Sequence, residues 1–240
     1  MGAILKTDPE NEGSSHFDQL KDLLIQNIVD TFNRDASGDA SGTLSGKKVQ
    51  IRPLAQPDSE TGKTMHDSEG WKSLETSMRN LQHAIEAIGT SLYKFDLGKI
   101  LEVIERAIAH LNRFVREISY FVINAIFEAS VGVDKTPNYG RFEDFADKLV
   151  PLVAKGLSDN WSQVRYASSL CCRSFYLVAK GCQEQNLAIF EKYNAELVPR
   201  MCLNRYYVAE GVRRYSIETW KQVFGEQGKQ VVVKYATAVC

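Results

Sequence analysis

The sequence predicts an all-α fold, a right-handed α-solenoid of stacked helix pairs preceded by a flexible N-terminal region. Two observations carry this. The phrases Leu149-Val150-Pro151 and Val164-Arg165-Tyr166 recur 48 residues later as Leu197-Val198-Pro199 and Val212-Arg213-Arg214-Tyr215. A fixed step of roughly 20–50 residues marks supersecondary units that bury their faces only by stacking on one another. Around these landmarks, apolar residues recur at three- and four-residue steps, the period of a helix with one buried face.

Residues 1–15 are polar and include Pro9 and Gly13, and they read as disordered. A helix is predicted over 16–33, where Phe17, Leu20, Leu23, Leu24, Ile28, Val29 and Phe32 form a helical stripe behind a cap at Ser14, Ser15 or His16. Residues 34–68 lose this period to Asp-Ala-Ser-Gly repeats, Pro53 and Pro57, which predicts a flexible linker of about 35 residues. Helical periodicity resumes at Trp71, Leu74, Met78, Leu81, Ile85 and Ile88, with Ser68 as N-cap, and stops near Gly89. The solenoid is predicted over 69–240, with repeats at about 98–132, 142–180 and 187–225 and an incomplete fourth from 229. That fourth unit offers Val231, Val232, Val233, Tyr235, Ala236 and Val239 as a first helix with no second. A lone repeat helix cannot bury its face, so the pattern predicts either a longer solenoid or another chain over this end.

Composition sets the class. The chain has 240 residues, 44% of them hydrophobic and 25% charged, enough for a substantial core. Lys plus Arg at 29 against Asp plus Glu at 30 leaves a formal charge of -1, so no global field draws it to nucleic acid or an acidic membrane. The five cysteines, Cys171, Cys172, Cys182, Cys202 and Cys240, form no CxxC pair or regular framework, which reads as reduced, cytoplasmic or nuclear usage. Met1-Gly2-Ala3-Ile4-Leu5-Lys6 lacks an apolar signal region and the Ser or Thr of a myristoylation signal. No apolar run approaches the roughly 20 residues that span a bilayer.

Within each unit the second helix reads Val-Arg followed by small or apolar residues: Val164, Ala167, Ser168, Cys171 and Phe175, then Val212, Tyr215, Ser216, Thr219 and Val223. The unit Leu149-Val150-Pro151-Leu152, Leu157, Asp159, Trp161, Val164-Arg165, Ala167 resembles a HEAT repeat of the HEAT/armadillo class, and the resemblance covers roughly residues 98–240. It implies an antiparallel helix pair stacked into a curved superhelix. It also implies a hydrogen-bonded ladder between an aspartate in the turn and an arginine six residues later, matched here by Asp159 and Arg165. Tyr207 stands at the aspartate position of the third repeat and His110 or Leu111 at that of the first, so the ladder is expected only in the second. Arg116 and Arg213 are then open to other partners.

Catalytic and metal motifs fail on inspection. Asp58-Ser59-Glu60-Thr61-Gly62-Lys63-Thr64 ends like a phosphate-binding loop but lacks the first glycine and the buried strand. Asp39-Ala40-Ser41-Gly42-Thr43-Leu44-Ser45 resembles the middle of a calcium loop. Ser37 and Lys48, however, occupy the positions that require carboxylates, which leaves a degenerate EF-hand-like segment. Adjacent Cys171 and Cys172 diverge by about 100° on a helix, and His16, His66, His83 and His110 are scattered. No catalytic residue, cofactor or metal site is assigned.

The expected function is therefore non-catalytic: a protein-binding scaffold or adaptor that works by surface shape. The candidate contact residues are Arg116, Arg165, Arg173, Arg213 and Arg214 on the second helices, with Asn160 and Trp161 in a turn. The partner is a protein, with a further contact expected at the incomplete C-terminal repeat. Resemblance to tubulin-binding TOG domains supplies one alternative, and a regulatory subunit of an enzyme complex, acting through the EF-like segment, supplies another.

Overall fold

The computed structural model describes residues 9–37, 70–131, 139–181 and 187–235. Among these, every regular element is helical and no β-strand occurs. Helix α1 spans Pro9–Ser37. It begins at Pro9 rather than at 16, so residues 9–15 of the stretch expected to be disordered are helical, and it ends four residues beyond 33. Proline suits a first helical position because the N–H it lacks would have no partner there. The buried face of α1 is Phe17, Lys21, Leu24, Ile25, Ile28, Thr31 and Phe32, while Leu20 and Leu23 are exposed. Lys21 replaces Leu20 on that face by burying its stem; its ammonium bonds Asp18 and lies over the Phe95 ring.

Helix α2 (Gly70–Ile88) buries Leu74, Met78, Leu81 and Ile85 and ends at Gly89, whose φ of 54° explains the glycine. A 3-10 turn (Gly89–Lys94) leads to α3 (Gly98–Ile108), and Asn112 then caps α4 (Arg113–Glu128) by accepting from Phe114 N at 2.9 Å. Helices α5 (Tyr139–Gly156) and α6 (Ser162–Gly181) follow. The next first helix is split at Tyr193 into α7 (Leu187–Lys192) and α8 (Asn194–Asn204), and α9 spans Glu210–Phe224. Gly225, at φ 50°, turns the chain through a 3-10 segment (Gly225–Gln227) into α10 (Gly228–Lys234). The P-loop-like and EF-like motifs and the linker beyond Ser37 lie outside the described residues, as do Cys182 and Cys240.

The helices pack in two rows. Helices α2, α4, α6 and α9 form one row, each packed on the next; α3, α5 and α8 form the other, each packed on its own partner and on the following member. Helix α1 packs on α2 and α3, so the helix expected as a separate element is the partner of α2 in the row of α3, α5 and α8. Helix α10 folds back on α8 and α9, half-burying Val231 and Val232 and leaving Val233 exposed. The core centres on Phe175 of α6. Its ring meets Phe127 of α4 at 5.9 Å, Phe142 of α5 at 6.0 Å and Tyr193 at 5.5 Å, so four elements share one aromatic cluster.

One close approach fixes how α5 sits on α4. A Cβ built on Gly156 would lie 2.3 Å from Cζ of buried Tyr120, whose hydroxyl donates to Leu152 O at 3.0 Å. Alanine favours a helix over glycine by about 1 kcal/mol, but an overpacked core loses about 1–3 kcal/mol. Gly156→Ala is therefore expected to lower stability by up to about 2 kcal/mol, read as a reduced urea midpoint. An unchanged or raised midpoint would mean that the Tyr120 ring can move aside.

Candidate functional site

Three short turns, between α3 and α4, α5 and α6, and α8 and α9, lie side by side and are tied together by arginines. Arg116 donates to both carboxylate oxygens of Asp159, Nε to Oδ2 at 2.9 Å and Nη2 to Oδ1 at 3.1 Å. Its Nη1 donates to the carbonyls of His110 at 3.0 Å and Leu111 at 2.8 Å. Asp159 also accepts from Trp161 N at 2.9 Å, which shapes the start of α6. One helix pair onward, Arg165 donates to the carbonyls of Asp159 and Leu157 and to Asn204 Oδ1 at 2.7 Å, while Asn204 Nδ2 donates back to Leu157 O at 3.0 Å.

This corrects the expected ladder. The Asp159 carboxylate pairs with the arginine of the preceding helix pair, and Arg165 reaches only the Asp159 main chain. A second rung exists although Tyr207 replaces the aspartate: Asn204 supplies the acceptor, and the Tyr207 ring lies 4.3 Å from the Arg165 guanidinium. Arg116 is accordingly engaged inside the fold rather than open to a partner.

The other candidate residues divide in the same way. Arg173 donates to Thr219 Oγ1 at 2.8 Å and Tyr215 O at 3.2 Å and covers the Tyr215 ring, tying α6 to α9. Burial raises the Tyr215 hydroxyl pKa, and Arg173 opposes that rise. Arg214 makes an exposed i,i+4 pair with Glu210 at 3.6 Å, worth at most a few tenths of a kcal/mol. The Arg213 side chain has no hydrogen bond or ion pair among the described residues, although it stands one repeat step after Arg165. Asn160 and Trp161 are exposed in the α5–α6 turn. The structure thus brings Arg116, Asn160, Trp161 and Arg165 to one edge and places Arg173 between the second helices.

Along that edge each turn presents large apolar surface. Leu111 is 60% exposed in the first turn, Trp161 42% in the second, and Tyr206 81% and Val208 87% in the third. Each of the three turns thus exposes at least one large apolar side chain along the edge that the arginines tie together. Arg113, which sequence reasoning missed, extends it: its guanidinium lies 4.2 Å from the Trp161 ring and 4.8 Å from Phe114, which in turn stacks on Trp71 at 5.1 Å. Arg113 lies three residues before Arg116, on the neighbouring helical row, and that offset was the available signal. On the same helix, desolvation raises the Glu117 carboxyl pKa against the opposing pull of Arg79 and Arg113.

Beside Trp161 a shallow groove of about 620 Å³ runs between the end of α5 and α8, with Pro151 and Ala154 among its apolar lining and Lys155, Glu196 and Arg200 among its polar lining. No group of three or more His, Cys, Asp or Glu side chains among the described residues is arranged to hold a metal ion. Burial raises the thiol pKa values of Cys171, Cys172 and Cys202, which disfavours their thiolate forms, with Arg205 opposing the rise at Cys202. No helix among the described residues is long and apolar enough to cross a membrane.

Residues 121–215 match the family model of the Vacuolar 14 Fab1-binding region, a family of HEAT-like helical repeats. The match runs from within α4 into α9 and includes Trp161, Tyr206 and Val208 but not Leu111 or Arg113. No curated protein matches the chain.

Proposed function

We propose that the chain is a non-catalytic scaffold, a right-handed α-solenoid of HEAT-like helix pairs that docks a protein partner along the edge formed by its turns. The observation that carries this reading is the apolar row Leu111, Trp161, Tyr206 and Val208 on consecutive turns, held in register by arginine rungs. A rigid row of partly exposed aromatic and aliphatic anchors flanked by cations has the composition of a binding hot spot. The similarity of residues 121–215 to a Fab1-binding region supports a Fab1-type protein as the partner class. The four helix pairs are α1 with α2, α3 with α4, α5 with α6, and α7–α8 with α9. The reduced cysteine usage fits a cytoplasmic setting.

The test is a titration of the purified chain against a Fab1 protein by biolayer interferometry. The triple substitution Trp161→Ala, Tyr206→Ala, Val208→Ala is expected to weaken binding at least tenfold, about 1.4 kcal/mol, with an unchanged helical circular dichroism spectrum. Full binding by the triple variant would remove the turn edge from the interface. No binding by the intact chain would remove the Fab1-type partner.

The same aligned turns favour a second reading, a tubulin-binding protein of the TOG type, because such proteins bind through one edge of aromatic and basic turn residues. Co-sedimentation with microtubules at low salt is its measurement, and a chain left wholly in the supernatant ends that reading.

A further inference from the structure

Resting on the reading of the turn edge as a protein-docking surface, we propose that the groove beside Trp161 takes an extended acidic segment of the partner with one apolar anchor residue. Three cations lie at the exposed indole or along the groove beside it, and none forms an ion pair among the described residues. Arg113 covers one side of the indole, and Lys155 and Arg200 line the groove. The carboxylates lining the groove are Asp159, already neutralised by Arg116, and Glu196, which has no ion pair among the described residues; Glu117, one helical turn after Arg113, offsets that guanidinium. Uncommitted charge lining the groove is thus two positive, Lys155 and Arg200, to one negative, on a chain whose overall formal charge is -1.

Hydrogen-bond capacity points the same way. Among the described residues the Arg200 guanidinium donates to Glu196 O, at 2.6 Å, on its own helix. The Lys155 ammonium and the Arg200 guanidinium carry donors only, which suits carboxylates, since these accept through both oxygens. Pro151, Ala154 and the indole face of Trp161 provide the apolar floor for one Leu-sized or aromatic side chain. The groove is open and shallow, so it suits an extended segment lying along the edge. Specificity then comes from charge and one anchor, and binding is salt-sensitive.

The probe is a capped heptapeptide of alternating Glu and Asp with a central Leu, titrated against the intact chain while tryptophan fluorescence is read. Trp161→Phe assigns the signal, since Trp71 and Trp220 remain. The peptide is expected to bind with at least tenfold higher affinity than its Gln/Asn counterpart, and at least fivefold higher than the version with central Gly. Raising ionic strength from 50 to 200 mM is expected to weaken it several-fold. Lys155→Glu, at an exposed position, is expected to lower affinity about tenfold with unchanged thermal unfolding; Arg200→Glu should do the same if it folds.

Equal binding of the acidic and amide peptides, no binding of either, or an unaffected Lys155→Glu variant would overturn the proposal. So would binding of phosphatidylserine vesicles in place of the peptide. Such a failure leaves the scaffold reading standing if the triple turn variant still loses the Fab1 protein. If that variant binds normally, the docking surface itself has been misplaced.

Discussion

Phe175→Ala is expected to lower the unfolding free energy by about 3–5 kcal/mol, the largest effect of any single substitution argued for this chain. The residue is fully buried, and its ring touches partners on four sides: Phe127 of α4, Phe142 of α5, Tyr176 of α6 and Tyr193 at the α7–α8 break. Truncation removes the transfer free energy of an aromatic ring and leaves a cavity walled by other rings. Those walls cannot close by a simple rotamer change, because Tyr176 is tied to Asn194 at 2.7 Å and Tyr193 to Asp147. Phe175→Leu keeps most of the volume and is expected to cost less than half as much. Urea unfolding followed by far-ultraviolet and aromatic circular dichroism checks both. If Phe175→Ala costs under about 1 kcal/mol, the aromatic cluster is not the node of the core.

The same cluster shows what the sequence displayed and what it withheld. Phe175 falls on the stripe Val164, Ala167, Ser168, Cys171, Phe175, and every member of that stripe is buried. Helical periodicity is local, so it was legible, and Gly89 and Gly225 end their helices for reasons any sequence reveals. The pairing of α1 with α2 was not legible, because residues 38–69 interrupt the repeat step and no period spans them. The exposure of Leu20 and Leu23 was also hidden. A helix with more apolar residues than its partner can cover must leave some outside, and only packing decides which.

The site was harder still. A Val-Arg phrase marks an arginine but not its acceptor, which comes from the next helix pair. In one rung that acceptor is a turn carboxylate, in the other the carboxamide of the last α8 residue, so no fixed spacing predicts both. Tyr207, at the aspartate position, keeps contact with Arg165 through its ring instead, a substitution of chemistry that alignment by residue type counts as a loss. In the apolar row, Leu111 and Val208 look like core residues in composition, and only the packing of the turns shows that they face outward.

The rung between Arg116 and Asp159 yields the second large effect. Both side chains are about 85% buried, at 15% and 16% exposure, and the guanidinium uses Nε, Nη1 and Nη2 for four hydrogen bonds to Asp159 and two carbonyls. Asp159→Ala leaves that charge desolvated with only the carbonyls of His110 and Leu111, and it also removes the acceptor of Trp161 N. Removing one member of a buried pair typically costs 3–5 kcal/mol, and the residual exposure here places the expected loss near the lower end, about 3 kcal/mol. Asp159→Asn keeps an acceptor for Trp161 N and loses the charge, so about 1–2 kcal/mol is expected. The decisive measurement is a double-mutant cycle in urea with Arg116→Ala. If the rung acts as a unit, the double variant is less destabilised than the two single losses added together, by about 1–3 kcal/mol. Additive losses would mean that each side chain is held by its own turn and that the rung does not couple neighbouring helix pairs. Trp161 would then keep its position without Arg116. Because the same carboxylate shapes the turn bearing Trp161, Asp159→Ala should also weaken partner binding, whereas Arg116→Ala, which leaves the Trp161 N bond intact, should weaken it less.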